Sequence, residues 1–355
     1  MKKRLLFFIL LILSSLSMNA QDLKKISADS LEMYKMAYKM IKSTFDKPLY
    51  NYTYEKYEPQ KVFGKIELSE KEMAAVFDTL QANASISIDK TKYGNDLNLK
   101  ARFPLNFNYK DLWKIGRINV LNSKLYNHFN KKLVPRDFGF TNFIKLKPEL
   151  INGKTVANNC IFAELQSRLE KTSEVDSLCY GTVDYKISFI SDYKKVNITK
   201  SDTLKLYKIN NDSIKLIDIF ENKVVIEELQ NNTCCTDIQL LNTDSTGRIA
   251  TAKSVTIEYD TKANAYKTPV NYAGEGSLTL TKEVYGLFRK NPEATLEEFI
   301  PKCIAGEKSG NYSKYIILES PAPINSNFMI YTPIYGFNRE FEVSLVNNTK
   351  LSVNK

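Results

Sequence analysis

Between residues 26 and 45 the apolar positions Leu31, Tyr34, Tyr38, Ile41 and Phe45 fall three or four apart, the spacing of one helix face. Met33, Met36 and Met40 flank that stripe. The apolar face is therefore wide and predicts a helix laid on a sheet or against a partner. Asp29, with Glu32 three places on, has the form of a capping box. A second helix is predicted from Ser69, boxed by Glu72, with Met73, Val76, Phe77 and Leu80 inward. The same spacing in Ile118, Leu121, Leu125 and Phe129 predicts a helix over 117–131. Phe162, Leu165 and Leu169 predict another over 159–171. Residues 132–158, holding Pro135, Gly139, Pro148 and Gly153, read as loop.

Period-two patterns mark strands. Tyr50, Tyr52 and Tyr54 alternate and share one face of an extended segment. Such a row suits a half-buried strand and, as a sharper expectation, a surface on which sugars stack. Residues 85–89 and 97–103 flank a turn at Tyr93-Gly94-Asn95-Asp96, a hairpin signature. From about residue 177 short strands follow one another closely, broken by turn chemistry at 209–212 and 220–223. Short links between successive strands predict an antiparallel meander. A helical insertion is predicted near 281–304, with Pro292 opening its second helix. The fold class predicted is α+β: an N-terminal helix-containing region (21–175), then a β-rich region (176–355) able to curl into a half-barrel or sandwich.

Composition adds the compartment. Lys2, Lys3 and Arg4 precede the unbroken apolar run Leu5–Leu13, then a polar stretch ends at Ala20. That order is a secretory signal, predicting cleavage after residue 20. Nine apolar residues do not span a bilayer, which takes about 20. The expectation is an exported chain (periplasmic, surface or secreted) with no transmembrane span after cleavage. The formal charge is +10; the leader supplies three positives, leaving +7. Lysines are dispersed, with only pairs such as Lys131-Lys132, so nucleic-acid binding is not expected. An anionic surface such as lipid or acidic glycan suits that charge better.

The five cysteines are Cys160, Cys179, Cys234, Cys235 and Cys303. Export permits disulfides, and the odd number leaves a thiol over. The expected arrangement is one bridge, with the other thiols buried as small hydrophobes. No C-x-x-C occurs, which argues against a zinc knuckle or a thioredoxin-type site. His128 is the single histidine, so multi-histidine metal sites are excluded; it reads as a polar helix position. No phosphate-binding or nucleophile-elbow motif is present, and no cofactor is expected.

One pattern recurs. Asp, then Ser or Thr, then an aliphatic residue or Thr, occurs six times, with hydroxyls at Ser30, Thr79, Ser177, Thr203, Ser213 and Ser245. This resembles the acceptor pattern of a periplasmic protein O-glycosylation system. Asp-Ser and Asp-Thr also cap helices and start turns.

The leading expectation is a non-enzymatic binding protein of the bacterial envelope, whose partner is an envelope component, a glycan or another protein. An exported hydrolase needs two carboxyl groups ~5–9.5 Å apart in a cleft. A structural subunit needs an exposed apolar patch larger than a few hundred Å².

Overall fold

The structure, a computed structural model, describes residues 27–46, 52–91, 94–104, 107, 109, 112–145, 149–151, 154–156, 161–170, 175, 178–209, 212–229, 237–252, 258–260, 265–267, 277–308 and 314–345. The chain is α+β with antiparallel sheets and a β-rich C-terminal part. It forms two compact units and passes between them three times. A layered unit holds Met1–Tyr57 and Lys194–Thr332; a two-sheet unit holds Glu58–Tyr193 and Pro333–Lys355.

Helix α1 (Ala28–Asp46) and strand β1 (Tyr52–Glu55) begin the layered unit. Next come α2 (Pro59–Val62), α3 (Glu70–Ala82), β2 (Ser85–Thr91), β3 (Gly94–Arg102), α4 (Leu112–Ile115), β4 (Gly116–Tyr126), β5 (Lys132–Leu133), β6 (Pro135–Lys145), β7 (Glu149–Ile151), β8 (Lys154–Val156), β9 (Ile161–Leu169) and β10 (Tyr180–Phe189), all in the two-sheet unit. β11 (Asp192–Thr199) leads back, followed by β12 (Leu206–Ile209), β13 (Asp212–Phe220), β14 (Lys223–Glu228), β15 (Gln239–Asn242), β16 (Ile249–Ala252), β17 (Glu258–Asp260), β18 (Ala265–Lys267) and β19 (Ser277–Thr281). Helices α5 (Lys282–Lys290) and α6 (Leu296–Lys308) precede β20 (Lys314–Glu319) and β21 (Asn327–Ile334); β22 (Phe337–Ser344) returns to the two-sheet unit.

In the two-sheet unit, β22-β10-β4-β5 and β2-β3-β9-β6 share one core. β2 lies against β22, and β4 against β6 and β9, so the sheets approach along both sides. Helix α3 packs on β3 and β22. Its capping box is as predicted: Ser69 Oγ accepts from the Glu72 amide, and Glu72 Oε2 accepts from the Ser69 amide at 2.8 Å. Met73, Val76, Phe77 and Leu80 are buried. Phe103 stacks on Phe107 at 4.5 Å and meets Phe143 and Phe189. A Cβ at Gly116 would lie 2.7 Å from Phe189 and 2.8 Å from Phe143, so only glycine lets β4 start there.

The layered unit has three layers. Its middle sheet runs β12-β13-β14-β20-β19. Val225, Leu280, Tyr315 and Ile317 face α1, α5 and α6. Leu216, Val224, Ile226, Ile316 and Leu318 pack with Ile198, Phe328 and Ile330 of the sheet β11-β21-β15. With both faces covered, β14 and β20 have continuous apolar runs rather than alternation. α1 buries the predicted stripe against Phe288 and Phe299, and its Tyr38 hydroxyl donates to the Ala294 carbonyl at 2.9 Å. The predicted meander is confined to β12-β13-β14, because β10 pairs with β22 and β4, and β11 with β21.

Several expectations are corrected. Residues 116–126 are strand β4 and 161–169 strand β9, where helices were predicted; β5, β6, β7 and β8 occupy the predicted loop. In β9 the inward positions are Ile161, Ala163, Leu165, Ser167 and Leu169, so Phe162 lies on the opposite face. The small Ala163 and Ser167 concealed that alternation. His128 sits exposed in the turn between β4 and β5, because the helix predicted around it is a strand that has ended. α1 begins one residue after Ser27, whose Oγ accepts from the Ser30 amide; Asp29 is already inside the first turn. Pro292 precedes α6, which is opened instead by Thr295, its amide bound by Glu298 Oε2 at 2.8 Å. No described helix is long and apolar enough to cross a membrane.

Candidate functional site

The two-sheet unit contains a cavity of about 460 Å³ lined by β4, the β5–β6 corner and β9. Six consecutive β4 residues, Ile118 to Ser123, line it, with Lys132, Val134, Pro135, Leu165 and Ser167. A regular strand turns alternate side chains to opposite faces and cannot present six in a row from one face. Two irregularities allow it here.

The first is a bulge. On β10, Asp184 stands opposite Asn122 but Tyr185 stands opposite Val120, so Leu121 is an extra residue in β4. Opposed residues share a face. Ile118 faces with buried Ile187, Val120 with Tyr185, and Ser123 with Val183. The bulge thus keeps Ile118 and Leu125, seven apart, on the same buried face, which imitates helical spacing. Leu121 itself is 47% exposed.

The second is an edge that stops early. β5 pairs with β4 only at Leu133–Leu125 and Lys132–Tyr126. The chain then leaves: the Glu170 amide donates to the Val134 carbonyl at 2.9 Å, and Pro135 stands opposite Leu169 of β9. Proline has no N–H with which to continue a ladder. Among the described strands, none pairs with β4 on this side between Gly116 and Lys124.

The lining mixes aliphatic and polar groups. Asn122 Oδ1 accepts from the Ser123 amide at 2.9 Å, and its Nδ2 donates to Asp184 Oδ2 at 3.4 Å. Ser123 Oγ is buried and has no hydrogen-bond partner among the described residues. Lys132 is the charged lining side chain, and it is exposed. Of the lining, Ile118, Leu121 and Leu165 were assigned to helix faces, Pro135 to a loop and Lys132 to a dispersed lysine pair, while Asn119, Val120, Asn122, Ser123, Val134 and Ser167 were not singled out. The available signal was the pair Asn119 and Asn122 bracketing Val120-Leu121, polar residues inside an otherwise strand-like run.

The tyrosine row lies in the layered unit. β1 pairs with β16, Tyr52 opposite Ala252 and Tyr54 opposite Ala250. The two rings meet edge to face at 5.6 Å and are half-buried; Tyr50 lies outside the described residues. The Arg248 guanidinium stands 5.7 Å from the Tyr54 ring. Arg248 is held by Asp244, which also accepts from the Thr246 and Arg248 amides, each at 2.9 Å. Burial opposes ionisation of Asp244, but the bonds from Thr246 and Arg248 overcome it and hold the carboxyl well below its usual range.

Asp244 is therefore the organiser of its turn, whereas Ser245 beside it is exposed. Thr203 is also exposed, its Oγ1 donating to the Lys200 carbonyl at 3.3 Å. Thr79 donates to the Ala75 carbonyl within α3 at 3.0 Å. Ser30 and Ser213 are half-buried, and Ser177 lies outside the described residues. Cys179 is buried in the two-sheet core, and Cys303, on α6, is half-buried against the helix-side core of the layered unit. Cys160, Cys234 and Cys235 lie outside the described residues.

Two further polar groups are structural by geometry. Asp218 accepts from Tyr285 and Arg289, each at 2.7 Å. Lys223, 1% exposed, donates to Asn222 Oδ1 at 2.8 Å at the β13–β14 turn. Among the described residues no three His, Cys, Asp or Glu side chains are grouped as metal ligands. Compared with known proteins, the chain matches no family model and no curated sequence.

Proposed function

We propose that the chain is an exported, non-enzymatic binding protein of the bacterial envelope whose ligand seats in the β4 cavity. One observation carries this reading: six consecutive residues of an interrupted strand line a cavity of about 460 Å³, within the usual size of ligand sites. A bulge beside a site is a recurring way to re-aim lining groups. The described lining offers amides, hydroxyls, aliphatic surface and one ammonium, but no carboxylate. That composition favours binding over the two-carboxylate hydrolase. Export rests on the order of charge, apolar run and small residue across Met1–Ala20.

The test is a photo-crosslinking side chain placed at Leu121 in the native host, with the same group at exposed Leu229 of the layered unit as control. A discrete adduct at 121 and none at 229 is expected. Equal labelling, or none at 121, overturns the cavity assignment. The intact mass of the recovered protein tests the leader, with residues 21–355 expected. It also tests a second proposal, sugars on the exposed hydroxyls of Thr203 and Ser245, which would appear as discrete mass increments.

A further inference from the structure

The cavity is the shape left by a missing strand. β5 begins a ladder on the open side of β4 with two rungs, at Tyr126 and Leu125. The chain then turns away at Val134 and Pro135, and the ladder stops. Beyond that point Asn119 to Ser123 carry backbone amides and carbonyls along an edge that no described strand pairs. Five residues at ~3.4 Å each give a run of ~17 Å, the length of an ordinary strand. Exposed edges of this kind are templates for strand addition unless bulges, charges or covering elements protect them. Here a bulge at Leu121 lies within the run and Lys132 marks its β5 end, features that oppose indiscriminate pairing and restrict the edge to a segment that fits the bulge and complements the lysine.

Resting on the reading above that the cavity is a binding site, we propose that the Asn119–Ser123 edge of β4 takes an extended polypeptide segment of a partner protein as an added antiparallel strand. It continues the line of β5, with an acidic side chain near its N-terminal end to meet Lys132. Main-chain hydrogen bonds would supply affinity in this mode, and side-chain pockets its selectivity. The direction follows from β5: a segment antiparallel to β4 starts beside Val134 and ends beside Gly116. Alternate side chains of the segment would turn inward toward Leu165, Ser167 and the Ser123 hydroxyl, a lining that suits small β-branched residues. The outward ones would meet Asn119 and Asn122. Lys132 is the charged group of the described lining, so the complementary residue is a carboxylate and not a cation.

The experiment uses the chain as secreted and a six-residue acetylated, amidated probe, glutamate first and then alternating threonine and valine. A second probe has the same sequence with alternate backbone nitrogens methylated; a third begins with lysine. Binding of the first, with slowed amide exchange in residues 119–123, is expected. Methylation should weaken it at least about tenfold, since blocked N–H groups cannot make the ladder. Lys132→Glu should weaken the glutamate probe about tenfold and strengthen the lysine probe by a similar factor, the sign of a direct charge pair. Lys132 is exposed, so this variant tests contact without disturbing the core. Equal binding of the methylated probe, protection elsewhere, or no binding overturns strand addition. So does a dimer that Leu121→Lys dissolves, which would show the edge pairing with a second copy. If Leu121 is crosslinked in the host but the probe fails to compete, strand addition falls while the binding site stands. If Leu121 is never crosslinked, the site itself falls.

Discussion

The two units solve the same problem differently. In the layered unit the middle sheet is covered on both faces, by helices on one and by β11-β21-β15 on the other. In the two-sheet unit one core fills the space between two sheets, and one of those sheets has an incomplete edge. An incomplete edge costs hydrogen bonds locally and opens a cavity. The cavity of about 460 Å³ lies where the ladder is broken, and the proposed binding role would use it there.

Deletion of Leu121 is the most direct way to break that contrast. Without the extra residue, Val120 and Asn122 become neighbours opposite Tyr185 and Asp184, and β4 turns into a regular strand with Ile118 and Leu125, then six apart, still on one face. The largest expected effect is on binding: with the bulge gone, crosslinking from a probe at Val120 should be lost, while denaturant unfolding changes by only about 1 kcal/mol. Phe288→Ala probes the covered side. This ring is fully buried between Tyr38, Phe45 and Phe299. A loss of about 4 kcal/mol is expected, with exchange rates rising in α5 and α6 and unchanged around residues 119–123. If the cavity edge loosens as well, the two units do not behave as separate cores.

Asp218→Asn should cost about 1 kcal/mol, because the half-exposed Arg289 is screened. Burial tends to raise the Asp218 pKa, but Arg289 and Tyr285 lower it below the usual range. A carboxyl with a depressed folded pKa adds stability above its unfolded value, near 3.9. That contribution is lost as pH falls toward the folded value. The gap between wild type and Asp218→Asn is therefore expected to be constant from neutrality to about pH 5 and to close below about pH 4. A gap that persists in acid would assign the effect to packing.

Ser123→Ala sharpens the comparison from the other end. It removes a buried hydroxyl with no partner among the described residues. Stability should change by less than about 0.5 kcal/mol, while capture at Leu121 falls if ligands use that hydroxyl. A loss well above that would mean the hydroxyl already serves the fold.

These contrasts also explain what the sequence disclosed. The layered unit was readable because its signals are local and strong. The α1 stripe, the runs Val224-Val225-Ile226 and Tyr315-Ile316-Ile317-Leu318, and the turn at 220–223 each imply one element. Likewise Ser69 and Glu72 fixed the start of α3 within four residues of chain. β4 was misread for a reason inherent in it. A bulge shifts a period-two pattern by one, and Ile118, Leu121 and Leu125 then carry the spacing of a helix. Its hydrogen-bond partner on β10 lies too far along the chain for any local pattern to register. The candidate site was therefore the part least visible beforehand: its lining depends on which strand is absent from an edge, a property of pairing and not of composition. The tyrosine row was legible as a strand, but its pairing partner β16 lies nearly 200 positions away and left no local signal.

The three crossings between units have a consequence for how the protein is made. Thr182 contacts Glu342 across 160 positions, and Lys42 meets Glu293 across 251. Neither unit can be completed from an N-terminal fragment leaving the ribosome. α1 waits for α6, and β10 waits for β22, the last described strand. Contacts so distant along the chain are slow to form, and the unpaired edge of β10 stays open to wrong partners meanwhile. Loss of β22 alone would leave the β10 edge of residues 58–193 unpaired and prone to aggregation, because the strand that shields β10 is made long after it.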